Sequence, residues 1–205
     1  MKIRVALTFD AEHPDRPAPP GIAEALLASL ERRGVRATFF VQGRWAEAYP
    51  ETARAIVAGG HLVGHHSHYH ARLPLLTDAG IAEDVRDGAD AIVAATGVDP
   101  APWFRCPFGA GADDPRVLAA IGSAGYRHVG WHVDVNDWDP AHSAGDVADA
   151  VVSGVQSQGD GAVVLLHAWP SATLGAIDSI LDRLHATGTE LCRVDELSLV
   201  PGGVP

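Results

Sequence analysis

Apolar positions along this chain keep two rhythms that alternate from end to end. Short apolar runs read as buried strands at Ile3–Phe9, Ala37–Val41, His61–Gly64, Pro102–Phe104, Tyr126–Val133, Ala162–Leu166 and Glu190–Val194. Between them, apolar residues recur every three or four positions. That spacing predicts helices over 22–33, 50–58, 77–95, 115–124, 145–156 and 171–186. Gly34 and Gly97 lie just past two of these segments, Thr77 precedes one, and Pro115 opens another, as helix ends require. Residues 14–21 form a proline-rich connection, extended or turned, and 201–205 a frayed tail.

Strands alternating with helices pair in parallel through right-handed crossovers. About seven such units make either a distorted (β/α) barrel or an open doubly wound sheet. The polar residues favour the barrel. Asp10 follows the first strand, His66 and His70 the third, Arg105 the fourth, Asp134 and Asp137 the fifth, and His167 the sixth. All therefore fall at the carboxyl ends of strands, the rim on which α/β barrels build active sites.

The chain has 205 residues, 47% hydrophobic and 20% charged, which suits one domain, placed here at 1–200 with 201–205 as its tail. A net charge of −11 argues against nucleic acid or an anionic membrane as partner. Two cysteines make no disulfide framework and read as reduced thiols. The N-terminus enters a strand at once, with no leader visible, so the expected location is cytoplasmic, or secreted if a leader has been removed. Oligomeric state leaves no signature.

Chemistry concentrates in five stretches. Five of the ten residues 61–70 are histidine. On a helical turn His66 and His70 share a face and could grip one cation. In an extended segment His66, His68 and His70 would do so. Asp10 or Glu12 could add the carboxylate that such a site needs. Arg105, in F-R-C-P-F-G, could pin an ionised aspartate. The carboxylates of D-V-N-D-W could orient a histidine, and Trp138 offers a flat wall for a sugar ring. His167, closing the run V-V-L-L-H, is a candidate general acid.

Together, in this order, these stretches resemble the polysaccharide deacetylases, the NodB-homology domain of carbohydrate esterase family 4. The likeness runs from Thr8 to His167, and A-T-F-F-V at 37–41 also looks like that family. It implies a distorted (β/α) barrel that uses a divalent metal to remove N- or O-acetyl groups from sugars. By this resemblance Asp10 matches the catalytic base, His66 and His70 the metal ligands, and Arg105 the residue that holds the base. Phe108 matches the aromatic residue whose N–H lines the oxyanion hole. Asp137 would tune His167, the acid, while Trp138 and Leu165 would line the pocket. The family motif T-F-D-D-G departs here to T-F-D-A-E, so Ala11 stands where a metal-binding aspartate is expected. The D-x-D spacing of some relatives would put Glu12 in that role, with His13 or water as the fallback. The expected cofactor is zinc, with cobalt and nickel also suited to such donors. Two alternatives stay open: an amide or cyclic imide hydrolase on the same scaffold, and a non-catalytic sugar-binding homologue.

Overall fold

A computed structural model describes residues 3–15 and 19–197. Residues 16–18 of the proline-rich connection and the whole of the 201–205 tail lie outside the described residues.

Strand β1 (Arg4–Ala11) is central. From Val5 to Asp10 it pairs with β7 (Ala162–His167). On its other side it pairs first with β8 (Glu190–Cys192) and then, toward its carboxyl end, with β2 (Thr38–Val41). The sheet continues through β3 (Leu62–His65), β4 (Trp103–Phe104) and β5 (Arg127–His128). On the far edge β6 (Val133–Asp134) pairs with β7. Every pairing is parallel. One chain segment, 127–134, thus joins both edges and curls the sheet into a distorted barrel. The doubly wound alternative does not form.

The single strand expected over Tyr126–Val133 is instead two short strands. Val129 and His132 keep backbone bonds to Phe104 and Val163, Gly130 and Trp131 lie between the two pairings, and the peptide oxygens of Val129 and Gly130 accept from the buried Arg105 side chain at 3.2 and 3.0 Å. The crossover helices are α1 (Ile22–Arg32), α3 (Pro50–Ala58), α4 (Asp78–Thr96), α5 (Pro115–Ser123), α6 (Ala144–Gln158) and α7 (Ser171–Ala186). A short helix, α2 (Gly43–Ala48), precedes α3 and has no counterpart in the sequence reading. Thr77 caps α4 by accepting the Gly80 N–H, and Gly97 ends it at φ 74°.

Strand alternation divides the core in two. Val5, Leu7, Phe9 and Ala11 of β1, with Phe39, Val41, Val164 and Leu166, join the layer that faces α1, α3, α6 and α7. The alternate residues point into the barrel. Low in the barrel these are apolar, with Ala6, Val163 and Cys192 in one cluster. Higher up the same faces carry Thr8, Asp10, Leu165 and His167, all buried. The barrel therefore has a greasy floor and a polar mouth. Cys106 and Cys192 are buried in different clusters, as free thiols.

Candidate metal centre and catalytic cleft

The mouth opens into a cleft of about 390 Å³. Of the residues expected at the site, Asp10, Glu12, His66, His70, Phe108, Trp138, Leu165 and His167 line it. Arg105 and Asp137 lie buried behind it, each gripping a residue of the wall.

Period-2 geometry explains the opening stretch. Asp10 and Glu12 are two apart, so both face the barrel interior, while Ala11 faces the helices and is fully buried there. Glu12 thus brings a second carboxylate into the cleft. Glu12 Oε2 lies 3.2 Å from His66 Nε2 and also contacts His70 Nε2. The two imidazole nitrogens are 3.1 Å apart. His13, the fallback ligand, is not part of this convergent set among the described residues; its Nε2 instead sits 3.0 Å from the other Glu12 oxygen.

The histidine loop is neither the helical turn nor the extended segment that its spacing suggested. Ser67 and His70 both adopt left-handed backbone angles, φ 61° and 58°, and fold the loop so that His66 and His70 meet. The Ser67 hydroxyl accepts the His70 N–H at 2.8 Å. Buried Asp84 on α4 accepts the N–H groups of His68 and Tyr69 at 3.1 and 3.0 Å. His68 is thereby turned away from the cluster, and His65 is structural, donating from Nε2 to the Val85 carbonyl at 2.8 Å. The loop lies so close to α4 that a Cβ on Gly88 would come within 2.7 Å of the His65 ring.

Protonation suits these residues to a cation. His66 Nδ1 donates to the Arg105 carbonyl at 2.9 Å, which leaves Nε2 facing the cleft. Burial pushes the His70 pKa down to about 4, keeping its ring neutral at pH 7. Burial also disfavours charge on Glu12 and His66. His13, His66 and His70 nevertheless hold the Glu12 carboxyl well below its usual range, and Asp10 and Glu12 raise His66. Two nitrogens and a carboxylate oxygen thus converge on one point. Tetrahedral zinc ligands about 2.1 Å from the ion sit about 3.4 Å apart, close to the 3.1 and 3.2 Å that separate His66 Nε2 from His70 Nε2 and Glu12 Oε2, whereas Glu12 and His70 stand closer. The donor set fits a divalent cation.

Asp10 and His167 flank this cluster. Arg105, fully buried, donates from Nη1 to Asp10 Oδ1 at 2.8 Å and stacks 4.1 Å above the Phe40 ring. The other Asp10 oxygen, Oδ2, lies 3.4 Å from His66 Nε2. His167 Nδ1 donates to Asp137 Oδ1 at 2.6 Å, and its N–H donates to Oδ2 at 2.8 Å. Thr173 adds a hydroxyl to the same carboxylate. His167 Nε2 is left toward the cleft, 3.8 Å from Glu12 Oε1. Burial alone would lower the His167 pKa. The Asp137 hydrogen bond and charge, aided by Glu12 and Asp10, push it up to about 9.

Several wall residues were given no role in the sequence reading: Arg72, Trp131, Asn136 and Trp169. Trp169 was within reach of it, since it stands two positions beyond His167. Strain left no sequence signal. Among the described residues, the non-glycine residues with positive φ besides Ser67 and His70 are His13, Phe108 and Asn136, all on the cleft wall. Phe108 and Trp138 expose about half of their surface at the rim.

Comparison with known proteins agrees with this geometry. The polysaccharide deacetylase family profile matches residues 1–129. The peptidoglycan-N-acetylglucosamine deacetylase of Listeria monocytogenes is 33% identical over 95% of this chain. The match takes in 38% of the Listeria protein, so the chain spans well under half the length of that relative. A family 4 carbohydrate esterase from Streptomyces lividans, solved in complex with acetate, superposes with a TM-score of 0.79 at 33% identity. That match covers 93% of this chain and 91% of the esterase. A family 4 pseudoenzyme from Bacillus anthracis superposes as well, with a TM-score of 0.84 at 26% identity, over 96% of this chain and 65% of the other. Likeness of fold therefore does not separate active from inactive relatives, and the site residues must. The chain belongs to the polysaccharide deacetylase family.

Proposed function

We propose that this chain is a metal-dependent hydrolase that removes N-acetyl groups from an amino sugar or its oligomers, with O-acetyl esters open to the same chemistry. The observation that carries the reading is the meeting of Glu12 Oε2, His66 Nε2 and His70 Nε2 beside the paired Asp10 and opposite the charged His167. Glu12, His66 and His70 would hold the cation, zinc by preference, with cobalt and nickel compatible. Once bound, it would polarise the acyl carbonyl and lower the pKa of an attacking water.

The chain's own groups supply the rest. Asp10 Oδ2 takes the proton of the attacking water, while Arg105 occupies Oδ1 and keeps the carboxylate aimed. Phe108, at φ 59°, offers its N–H to the oxyanion of the tetrahedral intermediate. His167 carries a proton on Nε2 at neutral pH and delivers it to the leaving amine nitrogen. Asp137 keeps the ring turned for that transfer. An amide needs such an acid, because an amine anion is a very poor leaving group. Leu165 and Trp138 shape the space for the acetyl methyl and the sugar face.

The test is acetate release from N-acetylglucosamine oligomers by the zinc-loaded protein, with cyclic imides as a parallel panel. Turnover on the sugars that disappears in Asp10→Asn, with zinc still bound, is the expected result. Turnover confined to the imides, or near-normal rates in Asp10→Asn, would overturn the assignment. A loaded protein inert on every substrate would place it with the pseudoenzymes.

A further inference from the structure

Glu12 divides its carboxylate between two sets of partners. Oε2 belongs to His66 and His70. Oε1 lies 3.0 Å from His13 Nε2, accepts the Trp169 indole N–H at 3.4 Å and stands 3.8 Å from His167 Nε2. A glutamate has one more rotatable bond than the aspartate that the family motif places at position 11. A free glutamate would therefore lose more side-chain entropy on binding a cation. Something must hold it, and His13 is built to do so.

His13 is fixed from several sides. Its backbone sits at φ 57°, and its N–H donates to Gln42 Oε1 at 2.9 Å. Its ring packs edge-on against His70, with centroids 4.4 Å apart. Gln42 in turn donates from Nε2 to the His68 carbonyl at 3.1 Å. The exit of β1 is thus tied, through His13 and Gln42, to the loop that carries both histidine ligands.

We propose that His13 is a positioning residue. It donates Nε2–H to Glu12 Oε1, so that Oε2 is presented to the cation together with His66 and His70. The inference rests on the metal-dependent reading above and deepens it: the shift of the ligand from position 11 to 12 works because position 13 steadies the longer side chain. Partners of this kind, which orient a ligand without touching the metal, are worth about 10- to 100-fold in affinity.

Two amide variants isolate the donor. In His13→Gln the side-chain nitrogen reaches the place of Nε2. In His13→Asn it reaches only the place of Nδ1, although asparagine tolerates the left-handed backbone best. Zinc affinity is measured by competition with a chromophoric chelator, and the visible spectrum of the cobalt-loaded proteins reports the ligand field. His13→Asn is expected to bind zinc about 10- to 100-fold more weakly, with an altered cobalt spectrum, while His13→Gln stays close to the parent protein. His13→Asn binding as tightly as the parent, or both variants losing affinity equally, would overturn the inference while leaving the metal-dependent reading intact. A parent protein that takes up no zinc would remove both.

Discussion

Moving the carboxylate back to where the family motif has it makes a sharp test of the strand geometry. The double variant Ala11→Asp, Glu12→Ala restores T-F-D-D. If side-chain direction follows the strand period, the new aspartate does not enter the cleft. It points into the layer between sheet and helices, where Ala11 is fully buried among apolar side chains. An unpaired charge there costs about 3–5 kcal/mol, a large share of the roughly 5–15 kcal/mol that holds a domain together. At about 2–4 °C per kcal/mol for a chain of this size, the melting temperature should fall by about 6–20 °C. Zinc should be lost as well, since two imidazoles remain without their carboxylate. Calorimetry and metal analysis of the dialysed protein read both effects, with Glu12→Ala alone as the control for metal loss without core damage. A double variant that keeps zinc at parental affinity and melts within about 2 °C of the parent protein would refute the reasoning.

Other consequences follow from the same geometry. Arg105→Lys should destabilise by about 2–5 kcal/mol in urea unfolding, because one ammonium cannot replace three nitrogens bound to Asp10, Val129 and Gly130. A loss under about 1 kcal/mol would mean that the buried fork is not structural. His167 is raised to about 9 from an unfolded value of about 6.5. Its stabilising contribution should be fully present below pH 6.5 and vanish as pH rises through 9, most clearly in the metal-free protein. Asp137→Asn should flatten that decline and move the alkaline limb of kcat/KM to lower pH; an unmoved limb would remove Asp137 from its role. Because His66 is raised by Asp10 and Glu12, zinc should displace a proton on binding. The calorimetric binding enthalpy should therefore vary with the ionisation enthalpy of the buffer, and a buffer-independent enthalpy would contradict that proton count.

Much of this was legible in the chain because the fold places chemistry by simple periodicities. Strands β1, β3 and β7 are short apolar runs, and each meets the cleft where its run gives way to a polar residue, Asp10, His66 or His167. The choice of Glu12 over Ala11 follows from the same alternation. Where the sequence misled, a long-range interaction had overridden a local pattern. The run from Tyr126 to Val133 looks like one strand, but the buried Arg105 guanidinium captures two of its carbonyls and breaks the ladder. The helix Gly43–Ala48 is short and flows into Tyr49-Pro50, leaving little periodicity to detect. The histidine loop took neither regular form, since its shape depends on Asp84 from a helix further along the chain. Arg72 and Trp131 join the wall through backbone turns that no spacing rule encodes.

The account stands on Glu12 serving as the third ligand beside His66 and His70. Anomalous diffraction at the zinc edge, from crystals of the loaded protein, tests that directly. The account predicts one strong peak bounded by Glu12 Oε2, His66 Nε2 and His70 Nε2. A peak elsewhere, or a Glu12 side chain swung away from an ion held by the histidines alone, would contradict it.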